Sequence, residues 1–145
     1  MKSIYDVFQT DQRVEKSGIK IDYGPFYFLI ARAGGANKRY STRLEALLKP
    51  YRRAIQTETM DEKVGLDLVA QAYAETVILG WGHVDKAGKT VDGVVLGRDG
   101  KPLELTVDNV KQVLLDLPDL FKDLREQAEK AALFRVQVKE VDAKN

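Results

Sequence analysis

The chain has no cysteine, one histidine, four prolines and no long apolar run among its 145 residues. The absence of cysteine excludes disulfide scaffolds, thiolate zinc sites and cysteine nucleophiles, and it suits a reducing compartment. A single histidine excludes a three-histidine zinc site but leaves carboxylate chemistry open. No segment approaches the roughly 18 uninterrupted apolar residues of a membrane span, and the first residues lack a signal-peptide apolar region. We therefore expect a soluble, non-secreted protein.

The composition that remains suits one domain with its own core. Apolar residues make up 44% of the chain and charged residues 31%. A chain of this length buries roughly 68–70% of the surface that its unfolded form exposes, so it needs no disulfide or metal to fold. The net charge of +1 conceals an asymmetry, because residues 1–56 carry +6 and residues 57–145 carry −5. Such asymmetry is typical of a partner surface or of self-association.

The residue pattern predicts an α+β fold. We expect a mainly helical single domain with an N-terminal β-hairpin and a second small β-hairpin inserted between the central helix and the C-terminal helices. The weakly patterned start, residues 1–18, is interpreted as an N-terminal arm. Residues 19–134 form the globular domain in this interpretation, and residues 135–145 form a charged C-terminal tail that we expect to fray.

The first half of the domain combines a hairpin with an amphipathic helix. Residues 19–23 alternate apolar and polar, residues 26–31 are aromatic and branched, and Gly24-Pro25 lies between them, which predicts a β-hairpin. A stripe of apolar residues at helical spacing follows, and Pro50 interrupts it, so we expect a kink or a break near residues 46–50. The stripe consists of Tyr40, Leu44, Leu47, Leu48, Tyr51 and Ile55.

The second half contains the most apolar helix. Thr59 and Glu62 have the spacing of a capping box, which predicts a helix that begins there and runs to Gly80. Most of its circumference is apolar, so we interpret it as the central helix or as one face of an oligomer contact. Asp99-Gly100 then predicts the second hairpin. Thr106 is expected to cap one further helix, and Pro118 to begin the last one, whose apolar stripe favours core packing over a zipper with a partner.

Two candidate chemical sites have plainer interpretations, which we favour. His83 with Asp85 is a candidate base or metal ligand, but a lone histidine at a helix end more often caps carbonyls or is half exposed. Gly34-Gly35 precedes a helix as a phosphate-binding loop does. The spacing fits neither a P-loop nor a dinucleotide fingerprint, so a sharp turn with positive φ is favoured over an anion site.

The densest charge feature is a cationic segment on the side of the first amphipathic helix opposite its apolar stripe. Within residues 32–53 only Glu45 opposes it. The segment is a solvated helix face, a phosphate-tracking surface or a dock for an acidic protein. The chain is not basic overall and its tyrosines lie on the apolar side, which argues against nucleic acid. The candidate partner surface consists of Arg32, Lys38, Arg39, Arg43, Lys49, Arg52 and Arg53.

Five segments in a fixed order suggest a family. They are IDYG at 21–24, IARAGGANKRY at 30–40, ILGW at 78–81, TVDN at 106–109 and LLDLPDLF at 114–121. Together they resemble the tail assembly chaperones of long-tailed, non-contractile bacteriophages and prophages, over most of residues 19–134.

The resemblance implies a binding protein and no enzyme, cofactor or metal site. Such chaperones bind and solubilise the tape-measure protein, help to recruit tail-tube subunits and are absent from the mature virion. We accordingly expect self-association, no membrane partner and a location in the cytoplasm of the bacterial host. Gly34 and Gly35 would form a turn and Trp81 would anchor the core. The cations between Arg32 and Arg53 are the candidate partner surface on the ground of their charge alone. The alternative is a small nucleic-acid-associated protein that uses the basic helix around residues 38–53.

Overall fold

The computed structural model describes residues 1–136, and they form the α+β fold, rich in helix, that the sequence predicts. The helices are α1 (Ile4–Phe8), α2 (Gln12–Ser17), α3 (Lys38–Leu48), α4 (Arg52–Gln56), α5 (Glu62–Thr76), α6 (Val107–Asp116) and α7 (Pro118–Glu129). The strands are β1 (Ile19–Asp22), β2 (Phe26–Ile30), β3 (Ile78–Val84), β4 (Thr90–Asp92), β5 (Val94–Leu96) and β6 (Pro102–Glu104). Short 3-10 turns occupy Lys49–Tyr51, Arg98–Gly100 and Ala131–Phe134.

The larger sheet is antiparallel, with the strand order β1-β2-β3-β4. β1 and β2 form the predicted N-terminal hairpin, in which Ile21 lies opposite Phe28. On its other side β2 pairs with β3, and there Phe28 lies opposite Trp81. Their rings meet edge to face with centroids 5.8 Å apart. Trp81 is only 1% exposed, so it lies in the core of the domain.

The second predicted hairpin is also present. β5 and β6 form a separate two-stranded antiparallel sheet. The turn between them contains Asp99 and Gly100, which both adopt positive φ, as an Asp-Gly hairpin turn requires. Pro102 begins β6, where its missing N–H costs little because a two-stranded sheet has only edges.

The central helix is shorter than the sequence predicts, at both ends. Its N-cap is Asp61, whose carboxylate accepts a hydrogen bond from the backbone of Lys63 at 2.8 Å, so the predicted cap at Thr59 is wrong. The helix ends at Thr76, and the residues predicted to continue it to Gly80 enter β3 instead. Residues 78–81 pair with β2, which is distant in sequence, and this pairing outweighs a local pattern that suits a helix or a strand.

Three further predicted helix boundaries are confirmed. Pro50 lies in the 3-10 turn that separates α3 from α4. The Thr106 hydroxyl accepts a hydrogen bond from the backbone of Asn109 at 3.1 Å and caps α6. Pro118 occupies the first turn of α7. Local stereochemistry therefore determines these ends.

The core forms around α5, which packs against α3, α6 and β3. Tyr73 of α5 is fully buried, and its ring meets Tyr40 and Phe121 edge to face at 5.3 and 5.6 Å. Phe121, Leu124 and Ala128 of α7 are also fully buried. The predicted core packing of the last helix is thereby confirmed.

The N-terminal segment, interpreted above as an arm, is partly helical and contacts the rest of the domain. Residues 1–18 contain α1 and α2, and the backbone of Asp11 donates to Phe134 O at 2.6 Å. Glu15 of α2 is only 2% exposed. Of the predicted tail, Arg135 bridges to Thr10 and the backbone of Val136 donates to Gln9 O at 2.9 Å, whereas residues 137–145 lie outside the described residues. Among the described residues, no helix is long and apolar enough to cross a membrane.

Candidate partner-binding surface

One side of α3 and α4 is apolar and only partly covered by the rest of the domain. Neither helix contains a buried residue, although α3 packs against α5. Ile55 at the end of the stripe is 44% exposed. A groove of about 540 Å³, here called the α3–α4 groove, runs along this side and has Tyr40, Leu44 and Leu48 in its wall. An open apolar groove of this kind is typical of sites that receive an amphipathic helix.

Cations border this groove. Lys49 and Arg52 belong to its lining, together with the single acid Glu45. Lys38 and Arg53 are exposed on the same pair of helices. A partner segment in the groove would therefore meet a positive rim, which favours acidic residues beside its apolar stripe.

Two arginines of the predicted cationic surface form ion pairs within the chain. Arg32 Nη1 lies 2.9 Å from a carboxylate oxygen of Glu15, and the Arg32 side chain is only 22% exposed. Arg43 Nε lies 3.0 Å from Glu75 on α5. Arg39 stays exposed, although its guanidinium reaches the backbone oxygen of Glu75 at 3.3 Å. Arg32 therefore serves an internal ion pair, and Arg43 attaches α3 to the central helix.

The Gly34-Gly35 loop makes the predicted turn. Both residues have positive φ, 128° for Gly34 and 55° for Gly35, and the chain then enters α3. Glu15 places its carboxylate in this loop, where it accepts a hydrogen bond from the backbone of Ala36 at 3.1 Å. A Cβ at Gly35 would collide with that carboxylate. The loop thus holds an anion, but the anion belongs to the chain itself.

Sequence reasoning missed Glu15, because it is a lone acid in a weakly patterned segment and its partners are distant in sequence. Burial alone would raise the pKa of Glu15. Hydrogen bonds from Thr10, Ala36 and Arg32, with the charge of Arg32, outweigh burial and lower that pKa below 4.5. Glu15 is therefore a buried carboxylate held in its charged form.

His83 lies in β3 and not at a helix end as predicted. Its Nδ1 is 2.6 Å from the backbone oxygen of Val94, a structural contact between β3 and β5. The neighbouring acid Asp85 accepts hydrogen bonds from the backbones of Ala87 and Lys89 within a turn. The structure therefore gives both side chains local partners and does not join them to each other.

Comparison with known proteins assigns the chain to a family of prophage proteins. The sequence profile described as YdaY prophage protein matches residues 35–145, more than half of the chain, which makes this a prophage-derived protein. The chain belongs to the YdaY prophage protein family. No curated protein and no solved structure matches it. The matched region includes the α3–α4 groove and Gly35 but begins after Glu15 and the first hairpin.

Proposed function

We propose that this prophage protein is a tail assembly chaperone that binds and solubilises the tape-measure protein through the α3–α4 groove. The observation that carries the proposal is the open apolar side of α3 and α4, which has no buried residue and a cationic rim. A tape-measure protein is a long helical chain with apolar stripes that need cover before assembly. Prophage membership and the resemblance over residues 19–134 support this function.

The groove suits one face of a client helix. Side chains at i, i+3, i+4 and i+7 would contact Leu44, Leu48 and Ile55, and acids beside them would meet Lys49 and Arg52. The central helix α5 is not available for this contact, because its apolar residues form the core. In this proposal the client replaces water over apolar surface that the domain itself leaves open.

The wider role follows from the same resemblance. We propose that the protein also helps to recruit tail-tube subunits, associates with itself, acts in the cytoplasm of the bacterial host and is absent from the mature virion. Its work in this role is binding, without catalysis and without a cofactor. The tail-tube protein and a second copy would each use surface outside the groove while a client occupies it.

Co-expression with the tape-measure protein of the same prophage tests the proposal. The wild-type chain should increase the soluble fraction of the tape-measure protein and co-purify with it. The double variant Leu44→Asp/Leu48→Asp should lose both effects, because it places two charges in the apolar wall. Leu96→Asp is the matched control, since Leu96 is 55% exposed and lies outside the groove. Equal solubilisation by the groove variant, with its circular dichroism unchanged, would contradict the proposal.

The dependence of binding on salt concentration distinguishes the nucleic-acid alternative from client binding. Exposed cations on α3 and α4 would bind phosphate with an affinity that falls steeply as salt rises, whereas apolar client binding persists. We expect no binding of a labelled DNA duplex at low or moderate salt. Salt-sensitive binding that Arg52→Glu and Arg53→Glu abolish would favour the alternative.

A further inference from the structure

A second cavity lies where the β2–β3 face meets the β5–β6 hairpin and the α6–α7 corner. Its volume is about 660 Å³, and Phe26, Phe28, Val95, Leu103 and Leu120 contribute to its wall. Small-molecule sites commonly have volumes of roughly 300–1,000 Å³. The hairpin cavity, as we call it, shares no lining residue with the α3–α4 groove, so it is a separate site.

The described lining of the hairpin cavity contains more cations than carboxylates. Arg98 and Lys101 line it on the hairpin side, and Asp116 is the one carboxylate among the described residues of the lining. Arg98 Nη2 lies 3.5 Å from Asp116, and the Arg98 side chain is 84% exposed. An ion pair this exposed contributes little to stability, so Arg98 can turn to another anion at small cost. Lys101 is exposed beside it.

The uncharged polar side chains of the lining already have partners. Asn109 donates to the backbone oxygen of Glu104 at 3.0 Å, and Gln112 donates to Asp116 at 2.8 Å. His83 contacts the backbone of Val94. A ligand would therefore bind through apolar contact with the wall and through charge at Arg98 and Lys101.

We propose that the hairpin cavity binds a small amphiphilic anion. Its apolar body, a fused aromatic ring system or an aliphatic chain of medium length, packs against Phe26, Phe28 and Leu120. Its single carboxylate or sulfonate pairs with Arg98 and Lys101. The two cations outnumber Asp116, so the site favours an anionic head over a neutral or cationic one. This activity is independent of the α3–α4 groove and of client binding.

Fluorescence of anilinonaphthalene sulfonate, which joins an aromatic body to one sulfonate, tests the proposal. Trp81 is the one tryptophan of the chain and packs against Phe28 of the cavity wall, so a dye in the cavity lies close enough to accept energy from Trp81. The charge variants, and not the energy transfer, assign the dye to this cavity. We expect saturable one-site binding, with decanoate displacing the dye and decanol displacing it at least tenfold less well. Arg98→Glu/Lys101→Glu should weaken dye and decanoate binding roughly tenfold or more, because it reverses both cations.

A variant with the same change of charge elsewhere on the surface serves as the control. Lys49→Glu/Arg52→Glu makes the same change of charge at the α3–α4 groove and should leave dye affinity unchanged. All three proteins should give the same circular dichroism spectrum, because all four side chains are exposed. The proposal is overturned by non-saturable dye binding, by equal displacement with decanol and decanoate, or by weakening in the groove variant alone. If the wild-type protein binds the dye but not the tape-measure protein, the result would count against the proposed function only.

Discussion

The helix α5 is apolar around most of its circumference, the helix pair α3–α4 has one apolar stripe, and the two regions differ in how far the rest of the domain covers them. In α5 five residues are buried: Ala70, Ala72, Tyr73, Ala74 and Thr76. In α3 and α4 none is buried. α5 packs against α3, α6 and β3, whereas α3 packs against α5 on one side, where Tyr40 meets Tyr73, and its stripe residues are only partly buried. An apolar helix surface therefore predicts a contact, but tertiary structure decides whether that contact lies inside the domain or with a partner.

Removing one tyrosine from each region should produce the greatest difference in stability between them. Tyr73→Ala should lower the free energy of unfolding by about 3–5 kcal/mol, because it leaves a cavity among fully buried rings. Tyr51→Ala should change it by no more than about 0.5 kcal/mol, since Tyr51 is 37% exposed. Urea denaturation of both variants measures the difference. A similar loss in both would show that the α3–α4 side is covered in solution.

The next effect concerns the loop that connects the core strand β2 to α3. Gly35→Ala should lower the free energy of unfolding by about 2–3 kcal/mol, because its Cβ collides with Glu15 and its φ is positive. Gly34→Ala should cost about 1 kcal/mol, since open space surrounds the Cβ and only the backbone is strained. Thermal unfolding of the pair compares them. An equal loss would mean that the Glu15 carboxylate does not occupy the loop.

The smallest effect depends on pH. The folded-state pKa of Glu15 is lowered from 4.5, so its stabilising contribution is present above that value and is lost as the pH falls through the folded-state pKa. Glu15→Gln should cost about 1–2 kcal/mol at pH 7, through the lost charge-assisted hydrogen bonds. The difference between wild type and variant should shrink in acid.

Glu45→Gln on the exposed face of α3 is the control and should retain the acid dependence of the wild type. Urea denaturation at a series of pH values below 5 measures it. A constant difference between wild type and Glu15→Gln at every pH would contradict the role assigned to the Glu15 charge.

Much of the fold could be predicted because its signals are local. Pro50 breaks its helix, Thr106 caps the next one and Asp99-Gly100 turns a hairpin through stereochemistry within a few residues. The alternation around Gly24-Pro25 likewise predicts β1 and β2. Each of these features needs only its neighbours along the chain.

The other features of the fold could not be predicted because they depend on residues that are far apart in sequence. Ile78-Leu79-Gly80-Trp81 continues the apolar pattern of α5, and only pairing with β2 makes it a strand. Glu15 is buried because Arg32 and Ala36 surround it, 17 and 21 residues further along. A count of cations likewise cannot show which of them form ion pairs within the chain, since neither Glu15 nor Glu75 is near its arginine in sequence.

By itself the amino-acid sequence determined the α+β class, both hairpins, the helix ends at Pro50 and Pro118, and the presence of an amphipathic, cationic helix. These depend on backbone stereochemistry and on periodicity, which operate over one or two turns of chain. Only the tertiary structure decided which apolar stripe is covered, which cations stay exposed, and that a buried carboxylate occupies the glycine loop. Those outcomes depend on contacts between elements far apart in the chain, and the free energy of each contact exists only once both elements are in place.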